Sequence, residues 1–137
     1  MSLILYTTIG VTDLERSARF YDAVFATLGY HRSRESDADF VAWGPTYEGG
    51  AGFWICKPFD GQPPSVGNGT MVALRGRSEA QVQAFYKAAL LHGGKDEGAP
   101  GTREAYGPSF YVGYVRDPDG NKLACVFHKH KPKDVAS

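Results

Sequence analysis

At 137 residues, with 42% hydrophobic and 13% aromatic positions, the chain can close one substantial core, so it reads as a single domain, residues 1–137. Fifteen Lys plus Arg against fifteen Asp plus Glu leave a formal charge of zero, which excludes the broad positive field that gathers nucleic acid or an anionic membrane. Expected partners are therefore small neutral molecules or other proteins.

The opening "MSLILYTTIGV" is apolar, but it has no positive leader, no cleavage pattern of small residues and too few apolar residues to span a bilayer. It reads as a strand near Leu3 to Val11, and the protein as cytoplasmic. Leu14, Ala18, Tyr21, Phe25 and Leu28 then recur at steps of three and four, which predicts a helix with one apolar stripe against a sheet. Thr12 with Glu15 can form a capping box, and Gly29 supplies the left-handed stop. Short strands are expected at Tyr30 to Arg34, Asp39 to Trp43 and Ala51 to Cys56. The segment "KPFDGQPPSVGNG", residues 57–69, is rich in Pro and Gly and reads as a linker.

Beyond it the pattern starts again. A strand at Thr70 to Arg75 precedes a helix that starts at Ser78 with Gln81, carries Val82, Phe85, Tyr86, Ala89 and Leu90 on one stripe, and ends at Gly93 or Gly94. Three more strands are expected at Thr102 to Tyr106, Phe110 to Arg116 and Lys122 to His128, the last two joined by the tight-turn chemistry of "RDPDGN". Residues 130–137 read as a polar tail. Shifted by 65 positions, Phe20, Tyr21, Ala23 and Gly29 fall on Phe85, Tyr86, Ala88 and Gly94, so one unit is used twice, over residues 1–56 and 70–129. Cys56 and Cys125 each lie inside an apolar run and read as buried free thiols.

No phosphate-binding glycine loop is present, because "GAPG" and "YEGG" do not sit between a strand and a helix N-terminus in the required spacing. No Ser, Cys or Thr nucleophile has a paired base by spacing. Asp117 and Asp119 resemble paired catalytic carboxylates, yet Pro, Asp and Gly in this order belong to a turn.

Three stretches, "TTIGVTDLERSARFYDAVFATLGY", "GNGTMVAL" and "GAPGTREAYGPSFYVGYVRDPDGN", are similar to the vicinal oxygen chelate superfamily, which groups glyoxalase I, bleomycin-resistance proteins and extradiol dioxygenases. The resemblance implies an α+β fold of two βαβββ modules forming a curled, incomplete mixed barrel round a cleft, often with two chains associating. It also implies a divalent metal held by the first and last strand of each module. Carried over residue by residue, three ligand positions fall on Tyr6, Met71 and Ala124, and the fourth among Phe53, Trp54 and Ile55. None is a usual ligand: a phenol with a pKa of roughly 10 stays protonated, a thioether favours copper(I), and a methyl group donates nothing. No metal or other cofactor is therefore expected.

The cleft that the resemblance implies would be lined by Tyr6 and Thr8 from the first strand, Met71 and Ala73 from the second half's opening strand, and Ala124, Val126 and His128 from the last. Trp54 would join them, with Arg103, Tyr106 and Tyr111 from the Gly-rich segment before the final hairpin. Alternatively, the aromatic and Met side chains simply fill the space as packed core. His128 is the polar candidate for an acid, base or hydrogen-bond donor. The expected function is binding of a small apolar or aromatic molecule, in a homodimer, without metal. The alternative is a glyoxalase-like lyase or isomerase using atypical ligands or His128 as a metal-free base.

Overall fold

The structure is a computed structural model that describes residues 2–45 and 52–129. The tail 130–137 and the start of the strand expected from Ala51 lie outside the described residues. In chain order the elements are β1 (Tyr6–Gly10), α1 (Leu14–Ala26), β2 (Phe40–Trp43), β3 (Gly52–Cys56), β4 (Val72–Arg75), α2 (Glu79–Leu91), β5 (Lys95–Arg103), β6 (Gly107–Arg116) and β7 (Lys122–Phe127), with a 3₁₀ turn at Glu104–Tyr106. They form two mixed sheets, ordered β1-β3-β2 and β4-β7-β6-β5, neither of which closes into a barrel. In each, the opening strand lies parallel to the closing one, β1 beside β3 and β4 beside β7.

The two helices show the internal repeat most directly. Each spans thirteen residues, and each N-cap side chain accepts from the backbone N–H three residues on: Asp13 from Arg16, Ser78 from Gln81. The first cap is thus Asp13 rather than the expected Thr12, whose own N–H instead donates to Asp119 Oδ1 at 3.1 Å. Gly29 and Gly93, at φ of 87° and 98°, turn the chain out of the two helices. Gly94 has a different role, because a Cβ there would stand 2.8 Å from Ala89 O and 2.9 Å from Phe20 of the other half's helix.

Two expected strands and one segment read as loop need correction. Tyr30 to Arg34 contributes only an isolated bridge, Arg32 to Trp43, since the segment is held by the Ser33 and Ser36 turns rather than by a ladder. Thr102 to Tyr106 divides between the end of β5 and the 3₁₀ turn. The Gly- and Pro-containing run before it, read as loop, is the nine-residue edge strand β5, which pairs with β6 through three register shifts. Leu90, expected on the apolar stripe of α2, is 39% exposed.

The core lies between the helices and one face of each sheet. Tyr21, Phe25, Trp43 and Phe53 form its aromatic centre, with Phe25 stacked on Trp43 at 5.5 Å and Tyr21 4.9 Å from Phe53. Cys125 is fully buried there, and burial pushes its thiol up to about 12 from 9.0. A thiol raised on folding contributes stability that is complete below about pH 9 and lost as pH climbs through about 12. Urea midpoints should therefore fall across that window, with a slope of up to about 1.4 kcal/mol per pH unit from this group, and Cys125→Ala should flatten the decline. No described helix is long and apolar enough to cross a membrane.

Candidate functional site

Alternation along each strand sends one set of side chains to the helices and leaves the other on an open sheet face. On the first sheet the open face carries Tyr6 and Thr8 from β1, Trp54 from β3 and Phe40 from β2. Tyr6 and Trp54 have ring centroids 6.1 Å apart, and Phe40 meets Trp54 edge-on at 6.4 Å. Tyr6 is 48% exposed and Phe40 44%.

On the second sheet the open face carries Ala73 and Arg75 from β4, Lys122, Ala124 and Val126 from β7, and Val112, Tyr114 and Arg116 from β6. A cup of about 800 Å³ opens over it, with Met71, Arg103, Tyr106, Tyr114 and Lys122 in its walls. Ala124 lies fully buried between Ala73 and Tyr114 in register. The last part of the expected linker, Val66 to Thr70, bends over the cup and forms another wall.

The expected site residues therefore divide between two places. Tyr6, Thr8 and Trp54 share the first sheet's face, Met71, Arg103 and Tyr106 line the cup, and Ala73, Ala124 and Val126 lie on the second sheet without lining the cup. A separate cavity of about 220 Å³ does span both halves, along the β1 and β4 edges, and among its lining residues are Phe25, Leu28, Trp43, Val72 and Leu74. Tyr111 turns the other way: it is 7% exposed in the core, and its hydroxyl accepts from Gln83 Nε2 at 3.0 Å. His128 lies in the turn just past β7, exposed, with Nε2 3.0 Å from Arg75 Nη1. A guanidinium only donates, so Nε2 is the acceptor in that contact.

The register also bears on the fourth of the positions that the resemblance assigned to a metal. Thr8 stands opposite Trp54 just as Ala73 stands opposite Ala124, so Trp54 is the counterpart of Ala124, and Phe53 and Ile55 face the helix. The four positions thus offer a phenol, a thioether, a methyl group and an indole whose nitrogen only donates. Such a donor set does not fit a divalent cation, which needs imidazole or carboxylate. Among the described residues no group of three or more His, Cys, Asp or Glu converges.

Composition could not have revealed the charge of the cup. Its walls hold Arg103, Arg116 and Lys122 against one carboxylate, Glu97, which already pairs with Arg116 at 2.9 Å. Arg103 and Lys122 lie 5.5 and 5.1 Å from the centroid of the Tyr114 ring. Gly98, opposite Tyr114 on β5, makes this possible, since a Cβ there would come within 3.0 Å of that ring and 3.1 Å of Arg103 Nη2. Burial, then the neighbouring Tyr106, pushes the Tyr114 hydroxyl up, while Arg103 opposes the shift. The available signal for Tyr114 and Lys122 was strand alternation from Ala124.

The "RDPDGN" turn joins β6 to β7 as expected, but its two carboxylates also bolt the halves together. Asp117 is 2% exposed and accepts from Tyr21 Oη at 2.7 Å, from Asn121 Nδ2 and from the N–H groups of Asp119 and Asn121. Asp119 accepts from Thr12 N and Ser17 Oγ and pairs with Arg16 at 3.2 Å, while Asn121 donates to Gly10 O. Burial, together with the charge of Asp117, pushes the Tyr21 hydroxyl well above its usual range.

Two helix-backed mixed sheets, each with one open face and neither closed, define an α+β protein of the curled, incomplete-barrel class. The profile of the Glyoxalase/Bleomycin resistance protein/Dioxygenase superfamily matches residues 3–125, and the chain belongs to that superfamily. A glyoxalase/bleomycin resistance protein from Albidiferax ferrireducens T118 is 33% identical with a TM-score of 0.80, the match covering 95% of this chain and 99% of that one. A glyoxalase-related enzyme from Fulvimarina pelagi is 22% identical, with a TM-score of 0.69 over 90% of this chain and 86% of the other. Glyoxalase I from Zea mays is 23% identical, with a TM-score of 0.68 over 90% of this chain and 45% of its own length. The last two share the fold. No curated protein matches the sequence.

Proposed function

We propose that this chain is a metal-independent member of its superfamily that binds a small, largely aromatic or apolar molecule in the cup of the second sheet. The observation that carries the reading is the cup itself: about 800 Å³, within the range that holds a small organic molecule, walled by Met71, Tyr106 and Tyr114. The mechanism is burial of apolar surface, with ring stacking against Tyr114 and Tyr106 to orient the ligand.

The half-exposed rings of Tyr6 and Phe40, with the fully exposed Phe59, support association of two copies through the open faces. Sedimentation at micromolar concentration should give a dimer; a monomer throughout would remove that part of the reading. Nothing in the geometry favours the lyase or isomerase alternative, because His128 is bonded to Arg75 and is not among the residues lining the cup.

The test is a thermal-shift and calorimetric screen of small aromatic compounds against the wild type and Tyr106→Ala. Tyr106 is 58% exposed and meets the Phe110 ring in a tilted contact at 5.2 Å, so its truncation should change stability by about 1 kcal/mol or less. The same change should weaken binding about tenfold. A screen in which no compound raises the melting temperature, or a Tyr106→Ala variant that binds unchanged, would overturn the assignment of the cup.

A further inference from the structure

We propose that the molecule held in the cup carries a single anionic group, a carboxylate on an aromatic or apolar body, and that Lys122 and Arg103 receive it. This rests on the reading of the cup as a small-molecule site and narrows the ligand's chemistry.

The chain as a whole is neutral, so a local excess of charge needs a local explanation. Three of the groups in the cup wall are cations and one is an anion. Arg116 is accounted for by Glu97 and by the carbonyl of Gly120, at 2.9 and 3.0 Å. Arg103 is not neutralised: Nη1 and Nη2 donate to the carbonyls of Thr102 and Ala99, at 3.1 and 2.7 Å, which fix its plane but leave three N–H groups and the full charge. Lys122 pairs with no carboxylate among the described residues and instead holds its ammonium 5.1 Å from the centre of the Tyr114 ring.

Two cations thus share one ring, which is a weaker arrangement for either than an ion pair. The backbone supports it specifically. The register shifts of β5 around Gly98 and Gly101 free the Ala99 carbonyl that anchors Arg103, and the missing side chain at Gly98 lets the guanidinium approach Tyr114. A neutral ligand covering this wall would strip water from two uncompensated charges, whereas a carboxylate would supply charge-assisted hydrogen bonds to both. The apolar remainder of such a molecule would then lie against Tyr106 and Met71.

The experiment is calorimetric titration with benzoate, 3-phenylpropionate and indole-3-acetate, each beside its primary amide, on the full chain and on Lys122→Gln, Arg103→Gln and the control Lys87→Gln on the exposed side of α2. At least one acid should bind about tenfold or more tightly than its amide, lose about tenfold in Lys122→Gln and in Arg103→Gln, and weaken as salt rises, with the control unchanged. Amides that bind as tightly as the acids would overturn the anionic inference and leave the cup as a small-molecule site. Acids and amides that both fail to bind would overturn the two together. Melting temperatures of the variants, expected at the wild-type value, separate lost binding from lost folding.

Discussion

Asp117→Ala should destabilise the protein by about 4 kcal/mol, a large share of the total for a domain of this size. The carboxylate accepts four donors, the Tyr21 hydroxyl, the Asn121 amide and two backbone N–H groups, in a site where it is itself 2% exposed. Its removal leaves several buried donors without partners, and each costs roughly 1–3 kcal/mol. Tyr21→Phe isolates one of these contacts, since the ring stays packed on Phe53 and Trp43 and only the hydroxyl is lost. That variant should lose about 1–2 kcal/mol near neutral pH. A folded-state Tyr21 pKa raised above the unfolded value contributes stability that is complete below about pH 10 and lost above it, so Tyr21→Phe should also decline less steeply in alkali. Urea midpoints settle both, and an Asp117→Ala loss below about 1 kcal/mol would show that the turn does not bolt the halves together.

Trp43→Ala should cost a similar amount, about 3–5 kcal/mol, while Trp54→Ala costs about 1 kcal/mol. Trp43 is fully buried, stacked on Phe25 and 5.6 Å from Tyr21, and it donates from Nε1 to Asp22 at 2.9 Å. Asp22 keeps Arg32 as a partner, so the loss is packing rather than an orphaned charge. Trp54, between the core residues Phe53 and Ile55 on β3, points the other way and stands on the open face with Tyr6 and Phe40. Only two tryptophans are present, which makes the contrast measurable by their fluorescence as well as by denaturation. Equal losses at the two positions would mean that the first sheet has no open face and that its aromatics are ordinary core.

The repeat was the most legible feature of the sequence, because helices carry a 3.6-residue period and end signals that survive in a single chain. Even the cap could have been located: Ser78 shifted back by 65 positions lands on Asp13, where the capping-box spacing to Glu15 favoured Thr12. β5 was not legible, since glycines and a proline in "EGAPGT" carry the local signature of a loop, and only pairing with β6 makes an edge strand of them. Phe53, Trp54 and Ile55 could not be separated by hydrophobicity, whereas register against β1 turns Trp54 alone to the open face. The assignment of Tyr6, Met71 and Ala124 to metal-ligand positions came from resemblance alone, whereas the register shows which sheet face Tyr6 and Ala124 occupy.

From its amino acids alone, this chain sets two helices, their glycine stops and the repeated order of strand, helix and strands. Those properties are local, depending on residue type and on spacings of a few positions. Tertiary structure decided the cationic cup, because Arg103, Tyr114 and Lys122 sit on three different strands and meet only through register, helped by the missing side chain at Gly98. It likewise decided that a turn bearing two aspartates would bind the first helix, about a hundred residues away in the chain, since a carboxylate shows its partner only once folding has removed the water.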